Sequence, residues 1–329
     1  MKIGLLSRKS TPDEILAAGD YISREDLKSV KAVSTSLAEL GQSVRLINPD
    51  DLLHLIESKV DLIFNLCDDG FNGKSQYEPN LPALLDLLGV PYTGSNYLAL
   101  GVCLNKPMTK EILSYHGLRT PKFQVFFNGD ERVSGNFKFP LIVKPSSEDA
   151  SIGIRDDSVV HDKVKLRSKI NDVISTFKQP ALVEEYISGR EFNVGILGNS
   201  KLDILPLSEI IFTMPKGLNH ICSYEAKWIS DNPAYFCTKP ECPARTSKKL
   251  RRELTEMAVK AYQVMGCRDY GRVDFRVDKN GRPYILEVNP NPDISQEAGL
   301  ANMASKAGLS YTQLVERIVE YAIERNLKQ

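Results

Sequence analysis

Two carboxylates in the last third of the chain are spaced for metal chemistry. Asp274 lies in GRVDFRVD and Glu287 in YILEVNPNPDIS, and the KNGRP between them carries an Asn280-Gly281 pair, which supplies the backbone freedom of a tight turn. Folding the two apolar runs back about Asp278 to Gly281 sets Asp274 opposite or nearly opposite Glu287. Period-two alternation places Arg272 with Asp274 on one face and Glu287 with Asn289 on another. Like charges ~5 Å apart across a strand pair destabilise it, so a cation is expected between them, and Mg²⁺ is the natural choice.

A second constellation lies upstream. PLIVKPSSEDASIG, residues 140–153, is a buried-type strand that delivers Lys144 into a loop of small polar residues, with Ser146 and Ser151 inside it and Gly153 closing it. Backbone N–H groups and serine hydroxyls of such a loop fold over polyphosphate while the lysine supplies a point charge. Read alone, the same residues also describe a surface lysine before a solvated turn. ALVEEYISGREF then sets Glu184, Glu185, Ile187 and Glu191 around a strand and the bend after it. An adenine pocket between two domains needs extended hinge backbone, as at Glu185 and Ile187, an acceptor for the amino group, as at Glu184, and a carboxylate for the ribose hydroxyls, as at Glu191. Exposed acids on an edge strand are the plain alternative. Lys106, in LNKPMTKEIL at a helix start, is either a further cation of the site or a solvated lysine. The chain has no GxxxxGK[ST] and no GxGxxG, so neither a P-loop nor a dinucleotide fingerprint competes for a nucleotide.

These residues need a scaffold, and the chain supplies one in three blocks. KIGLL, SVRLI and VDLIFNLC are β-rich runs separated by helix-patterned segments at Glu25 to Leu40 and Asp50 to Ser58, a rhythm that predicts a parallel sheet. NLPALLDLLGV adds a helix stopped by Gly89. The next block reads as a small α+β unit: a helix at Lys106 to His116, strands at KFQVFF, PLIVKPSS and ALVEEYIS, and a charged helix from His161 to Phe177. The last holds strands REFNVGIL and KLDILPLSEIIF, a helix from Thr246 to Met265, the hairpin, and two helices at 296–306 and 310–326.

At 329 residues, two or three domains are expected. Forty-two acidic residues balance 42 basic ones, so no net field points to nucleic acid or an anionic membrane. No apolar run reaches ~18 residues and MKIGLLSRKST lacks a secretory core, which places the protein in the cytoplasm with no membrane partner. The six cysteines have no CxxC spacing and are read as reduced thiols. His220, Cys222, Cys237 and Cys242 are too loosely spaced for a zinc site and read as packing.

The order Lys106, Lys144, EEYISGREF, YEAKW, GRVD and LEVNPNP resembles the ATP-grasp superfamily, and within it the D-alanine–D-alanine ligase type. The similarity is continuous from about Leu81 to the C-terminus. It implies α/β and α+β architecture: an N-terminal Rossmann-like domain over 1–102, an ATP-grasp small subdomain over 103–187 and a C-terminal catalytic subdomain over 188–329. It also implies ATP and two Mg²⁺ or Mn²⁺ ions as cofactors, amino-acid or peptide substrates, and room for a homodimer. Lys106 and Lys144 become phosphate-side lysines, Ser146 to Gly153 a lid, and Glu184 and Glu191 adenine and ribose ligands. Lys227 of YEAKW meets the γ-phosphate, Arg272 stabilises charge at the reacting carboxyl, and Asp274, Glu287 and Asn289 hold the metals. The chemistry implied is phosphorylation of a carboxylate by ATP and attack of an amine on the acyl phosphate.

Four departures bear on substrate. The family's N-terminal glycine-rich turn is replaced by SRKSTPDEILAAGDYISREDLKSV, where Glu25 and Asp26 are weak stand-ins for its glutamate. Ala150 replaces a loop serine and Trp228 its tyrosine partner, so their hydrogen-bonded bridge is expected to be lost. Beyond the metal residues, Pro292-Asp293-Ile294 replaces a glycine-methionine turn. Asp293 and Ser295 are substrate-side candidates, and an aspartate there repels a substrate carboxylate; capping of the helix expected near Ser295 is the structural alternative. The expected activity is that of an ADP-forming carboxylate–amine ligase. A ligase for a different amino acid or peptide and a non-catalytic ATP-binding regulator are the alternatives.

Overall fold

The structure is a computed structural model that describes residues 1–7, 21–68, 70–229 and 231–327 and, within these, all side chains except those of 21–27 and 52–54. Glu25 and Asp26 therefore lie outside the described side chains. Strands β1 (Lys2–Leu6), β2 (Ser43–Ile47) and β3 (Leu62–Asn65) form a parallel sheet in the order β2-β1-β3. Parallel neighbours need crossovers, and the helices Tyr21–Glu39 and Leu52–Glu57 provide them. The helix Asn80–Leu88 stops where expected: Gly89 is left-handed at φ 65° and its N–H returns to the Leu85 and Asp86 carbonyls. A further helix, Tyr97–Leu104, follows, started by the Asn96 side chain accepting from Ala99 N–H.

A second sheet is antiparallel in the order β4-β7-β5-β6, from β4 (Phe123–Phe126), β5 (Leu141–Pro145), β6 (Val159–Val160) and β7 (Ala181–Glu185). The helix Lys163–Phe177, capped by Asp162, lays Leu166, Ile170 and Val173 on Phe126, Leu141 and Val143. A third sheet holds β8 (Gly189–Gly198), β9 (Leu202–Ile204), β10 (Ser208–Phe212), β11 (Thr238–Glu241), β12 (Tyr270–Asp278) and β13 (Pro283–Asn289), in the order β11-β10-β8-β12-β13 with β9 on β8. KLDILPLSEIIF, expected as one strand, is two, because the chain breaks at 205–207 around Pro206, which has no N–H for a ladder.

The helix Lys248–Val264, two residues later in starting than expected, presents Leu254, Met257, Ala258, Ala261 and Tyr262 to Val273 and Phe275 of the third sheet. The final helices, Gly299–Lys306 and Tyr311–Asn326, reach back to the first sheet: Leu300, Leu314 and Ile318 share one core with Ile3, Leu5, Leu62 and Phe64. The two ends of the chain are thus packed together. Among the described residues no helix is long and apolar enough to cross a membrane.

The hairpin is as expected in register and corrected in facing. Asp274 pairs with Glu287 and Arg272 with Asn289. Directly opposed residues of an antiparallel ladder share a face, so all four lie together, not on two faces. The register then shifts between Asp274 and Phe275, a bulge at Leu286 that turns the chain just before Glu287.

Candidate functional site

A cleft of about 270 Å³ opens between the second and third sheets. Lys144 enters it from β5, Glu184 and Glu185 from β7, and Ile187 from the hinge that follows. Glu191 of β8, Arg272 and Asp274 of β12 and Glu287 of β13 face them. Three local starts bring in the rest. Asn105 caps the helix Lys106–Tyr115 and places Lys106 in its first turn; Ser223 caps the short helix Tyr224–Trp228 that carries Lys227; left-handed turns at Ala150 (φ 52°) and Ser151 (φ 63°) bring in Ser151.

The other sequence candidates sit elsewhere. Ser146 is buried, its N–H donated to Pro180 and its carbonyl accepting from Lys106 N–H. Gly153 (φ 78°) lies under the loop where a Cβ would stand 2.6 Å from Pro145 Cγ and 2.8 Å from the Phe177 ring, so it fits because it has no side chain. Asn289 backs the cleft, its amide donating to Asp274 Oδ2 at 2.9 Å. Asp293 occupies a separate small crevice beside Tyr270 and Asn291, and Ser295 lines a different, open pocket beside Lys31 and Thr35. Asp293 accepts from Ser295 N–H at 2.7 Å and Ser295 Oγ at 3.0 Å. It therefore closes a local turn and does not cap the next helix, which begins only at Gly299 after Ala298.

Arg272 grips Asp274 with two donors, Nε to Oδ1 at 2.8 Å and Nη2 to Oδ2 at 2.9 Å, and Asn193 of β8 donates to Oδ1 at 2.6 Å. Among the described residues Glu287 has no such clamp, and Lys106 Nζ stands 3.9 Å away. Burial alone raises the Glu287 carboxyl, but Lys106, Lys227, Arg272 and Lys144 outweigh it and bring its pKa down to about 2. Asp274, Glu287 and Asn289 offer the hard oxygens that Mg²⁺ takes. Among the described residues no group of three or more His, Cys, Asp and Glu forms a cage. That suits Mg²⁺, which is usually held by one or two carboxylates together with waters and substrate phosphates.

Glu184, expected as an open acceptor, is held between two lysines. Lys110 Nζ lies 2.6 Å from Oε1 and Lys144 Nζ 2.7 Å from Oε2, with Glu184 and Lys110 each 1% exposed. Burial raises the Glu184 carboxyl, and the two ammonium groups reverse that and lower it. Burial, opposed by Glu184, leaves Lys110 lowered. Lys110 also donates to Thr120 Oγ1 and to the carbonyl of Leu286, the bulge residue before Glu287. Sequence reading overlooked Lys110 because its only signal was to lie four positions after Lys106 on the same helix face. At the hinge, Glu185 N–H donates to Lys122 O, so that donor is unavailable to a ligand.

The loop over the cleft is clasped. Trp228 Nε1 donates to Ala150 O at 2.8 Å and Ser151 Oγ to Cys222 O at 2.8 Å. The bridge expected to be lost is thus rebuilt: an indole N–H needs only an acceptor, and the main-chain carbonyl replaces the missing hydroxyl. Lys106 donates to the loop as well, to Asp149 Oδ1 at 2.9 Å and to the Glu148 carbonyl.

The family model for the C-terminus of D-ala D-ala ligase matches residues 112–320. Uncharacterized protein y4sG of Sinorhizobium fredii is 35% identical over 264 residues, spanning 80% of this chain and 75% of that protein. The D-alanine–D-alanine ligase of Bordetella petrii is 33% identical over 315 residues, 94% of this chain and 91% of its own. The solved D-alanine–D-alanine ligase of Bacillus anthracis complexed with ATP shares the fold, with a TM-score of 0.77 at 24% identity over 100% of this chain and 99% of that one. With its three sheets, the cleft between the second and third, and a family match over most of its length, the chain belongs to the D-alanine–D-alanine ligase family of ATP-grasp ligases.

Proposed function

We propose that the chain forms an amide bond between an amino acid and an amine-bearing amino acid or peptide, transferring the γ-phosphoryl of ATP to the first carboxylate. The observation that carries this is the convergence of Lys106, Lys144, Lys227 and Arg272 with Asp274 and Glu287 on one cleft. A carboxylate is a poor electrophile and phosphoryl transfer has little need of a side-chain nucleophile, so catalysis falls to positioning and charge neutralisation. Adenine sits against the hinge at Glu185 and Ile187 beside Glu184, the ribose at Glu191, and the phosphates between Lys144 and Lys106 under the loop of Ser151. Lys227 meets the γ-phosphate, and Arg272 faces the oxygen on which charge builds when the amine attacks. Asp274, Glu287 and Asn289 would hold Mg²⁺ or Mn²⁺, which neutralises phosphate charge when bound.

D-alanine is the first substrate to try, since relatives carry the name D-alanine–D-alanine ligase. A different amino acid or peptide acceptor is the second reading, favoured by the loss of the glycine-methionine turn where Pro292-Asp293-Ile294 stands and not by the Asp293 charge, which Ser295 engages. The test is a screen of amino acids, amines and small peptides for ATP-dependent phosphate release, with mass analysis of products. ADP, phosphate and an amide are expected. AMP and pyrophosphate would overturn the γ-phosphoryl route.

A further inference from the structure

Arg276 belongs to none of the motifs, yet it is 3% exposed and lines the cleft two residues beyond Asp274 on β12. It is the register partner of Glu191 on β8, and its Nε lies 2.8 Å from Glu191 Oε2. Its other donors are also engaged: Nη1 with the hinge carbonyl of Gly189 at 3.1 Å, and Nη2 with the carbonyl of His220. The guanidinium lies over the rings of Tyr186 and Phe212, 5.6 and 5.1 Å from their centroids. Tyr186 Oη donates to the same His220 carbonyl at 3.0 Å. One side chain thus joins the hinge, Glu191 and the 220–222 segment whose Cys222 carbonyl holds the loop through Ser151.

We infer that Arg276 is a positioning residue for nucleotide recognition, fixing Glu191 in the rotamer that accepts the ribose hydroxyls. The inference rests on the reading of Glu191 as the ribose ligand. A free glutamate has three side-chain torsions to order on binding; an ion pair at 2.8 Å on a stacked guanidinium orders them beforehand. Lysine cannot replace it, because a single ammonium does not reach a carboxylate and two carbonyls in one plane or stack between two rings.

The experiment is calorimetric titration of the full chain with ATP and with 2′-deoxyATP in Mg²⁺, which needs no knowledge of the amino-acid substrate. The parent should prefer ATP by about 10- to 100-fold, the worth of a hydrogen bond to a charged group. Arg276→Met should bring that ratio to within about twofold by weakening ATP while leaving 2′-deoxyATP near its parent affinity, and Arg276→Lys should fall between. Loss of affinity for both nucleotides alike, with the ratio intact, would overturn the role of Arg276 and reduce it to scaffold. A parent ratio near one, unchanged by Glu191→Gln, would instead remove the ribose reading and the inference with it. Should the methionine variant not fold, the lysine variant decides: a parent-like ratio overturns the proposal and a reduced ratio supports it.

Discussion

The indole N–H of Trp228 donates to the Ala150 carbonyl at 2.8 Å, tying a short helix beside the cleft to the crest of the loop above it. Trp228→Phe keeps the ring and removes the donor. A neutral hydrogen bond contributes about 0.5–1.5 kcal/mol, so nucleotide affinity should fall roughly 2- to 10-fold. Amide exchange across residues 146–153 should slow on binding ATP with Mg²⁺ in the parent and slow less in the variant. Equal protection in both would show that the clasp does not hold the loop.

Glu287→Gln removes the hairpin carboxylate that lines the cleft without the arginine clamp that holds Asp274. Turnover should drop by at least about 100-fold, with far-ultraviolet circular dichroism unchanged. Near-normal turnover would make the hairpin acids purely structural.

The same carboxyl sets an acid-stability expectation. Its folded pKa of about 2 is below the ordinary 4.5, so its contribution is fully present above pH ~4.5 and is lost as pH falls toward 2. Urea unfolding from pH 6 to 2 should show a smaller acid loss for Glu287→Gln than for the parent. Identical pH slopes would contradict this assignment.

Lys110→Met strips one of two cations from a carboxylate that is 1% exposed. Removing one partner of a buried pair costs about 3–5 kcal/mol, and because Lys144 remains the lower end is expected. Chemical denaturation measures it, and a loss under about 1 kcal/mol would mean that Lys144 alone neutralises Glu184.

Asp293→Asn retains an oxygen for the Ser295 N–H and removes the charge. Because Asp293 is turned into its own loop and away from the main cleft, relative kcat/KM for an amino acid and its carboxyl-amidated form should change by less than about twofold. A larger shift would make Asp293 an acceptor-selecting residue.

Much of the site was legible along the chain because its parts are local. A lysine at a strand end, a glycine-closed loop and an Asn-Gly turn between two apolar runs each declare themselves within a dozen residues; the turn brings Asp274 to within one position of Glu287, and the bulge at Leu286 sets the two directly opposite. The parallel first sheet follows equally from the alternation of short β runs and helices.

What the tertiary structure decided was who pairs with whom across sheets. Lys110 meets Glu184 over 74 positions of chain and Arg276 meets Glu191 over 85, and no periodicity encodes either contact. The Trp228 clasp was invisible for a related reason: its acceptor is a main-chain carbonyl, which every residue carries and no letter of the sequence marks. Side-chain identity announces a charge or a donor. Only the folded backbone, by bringing distant strands to hydrogen-bond distance, settles which partner neutralises it and which groups remain for a ligand.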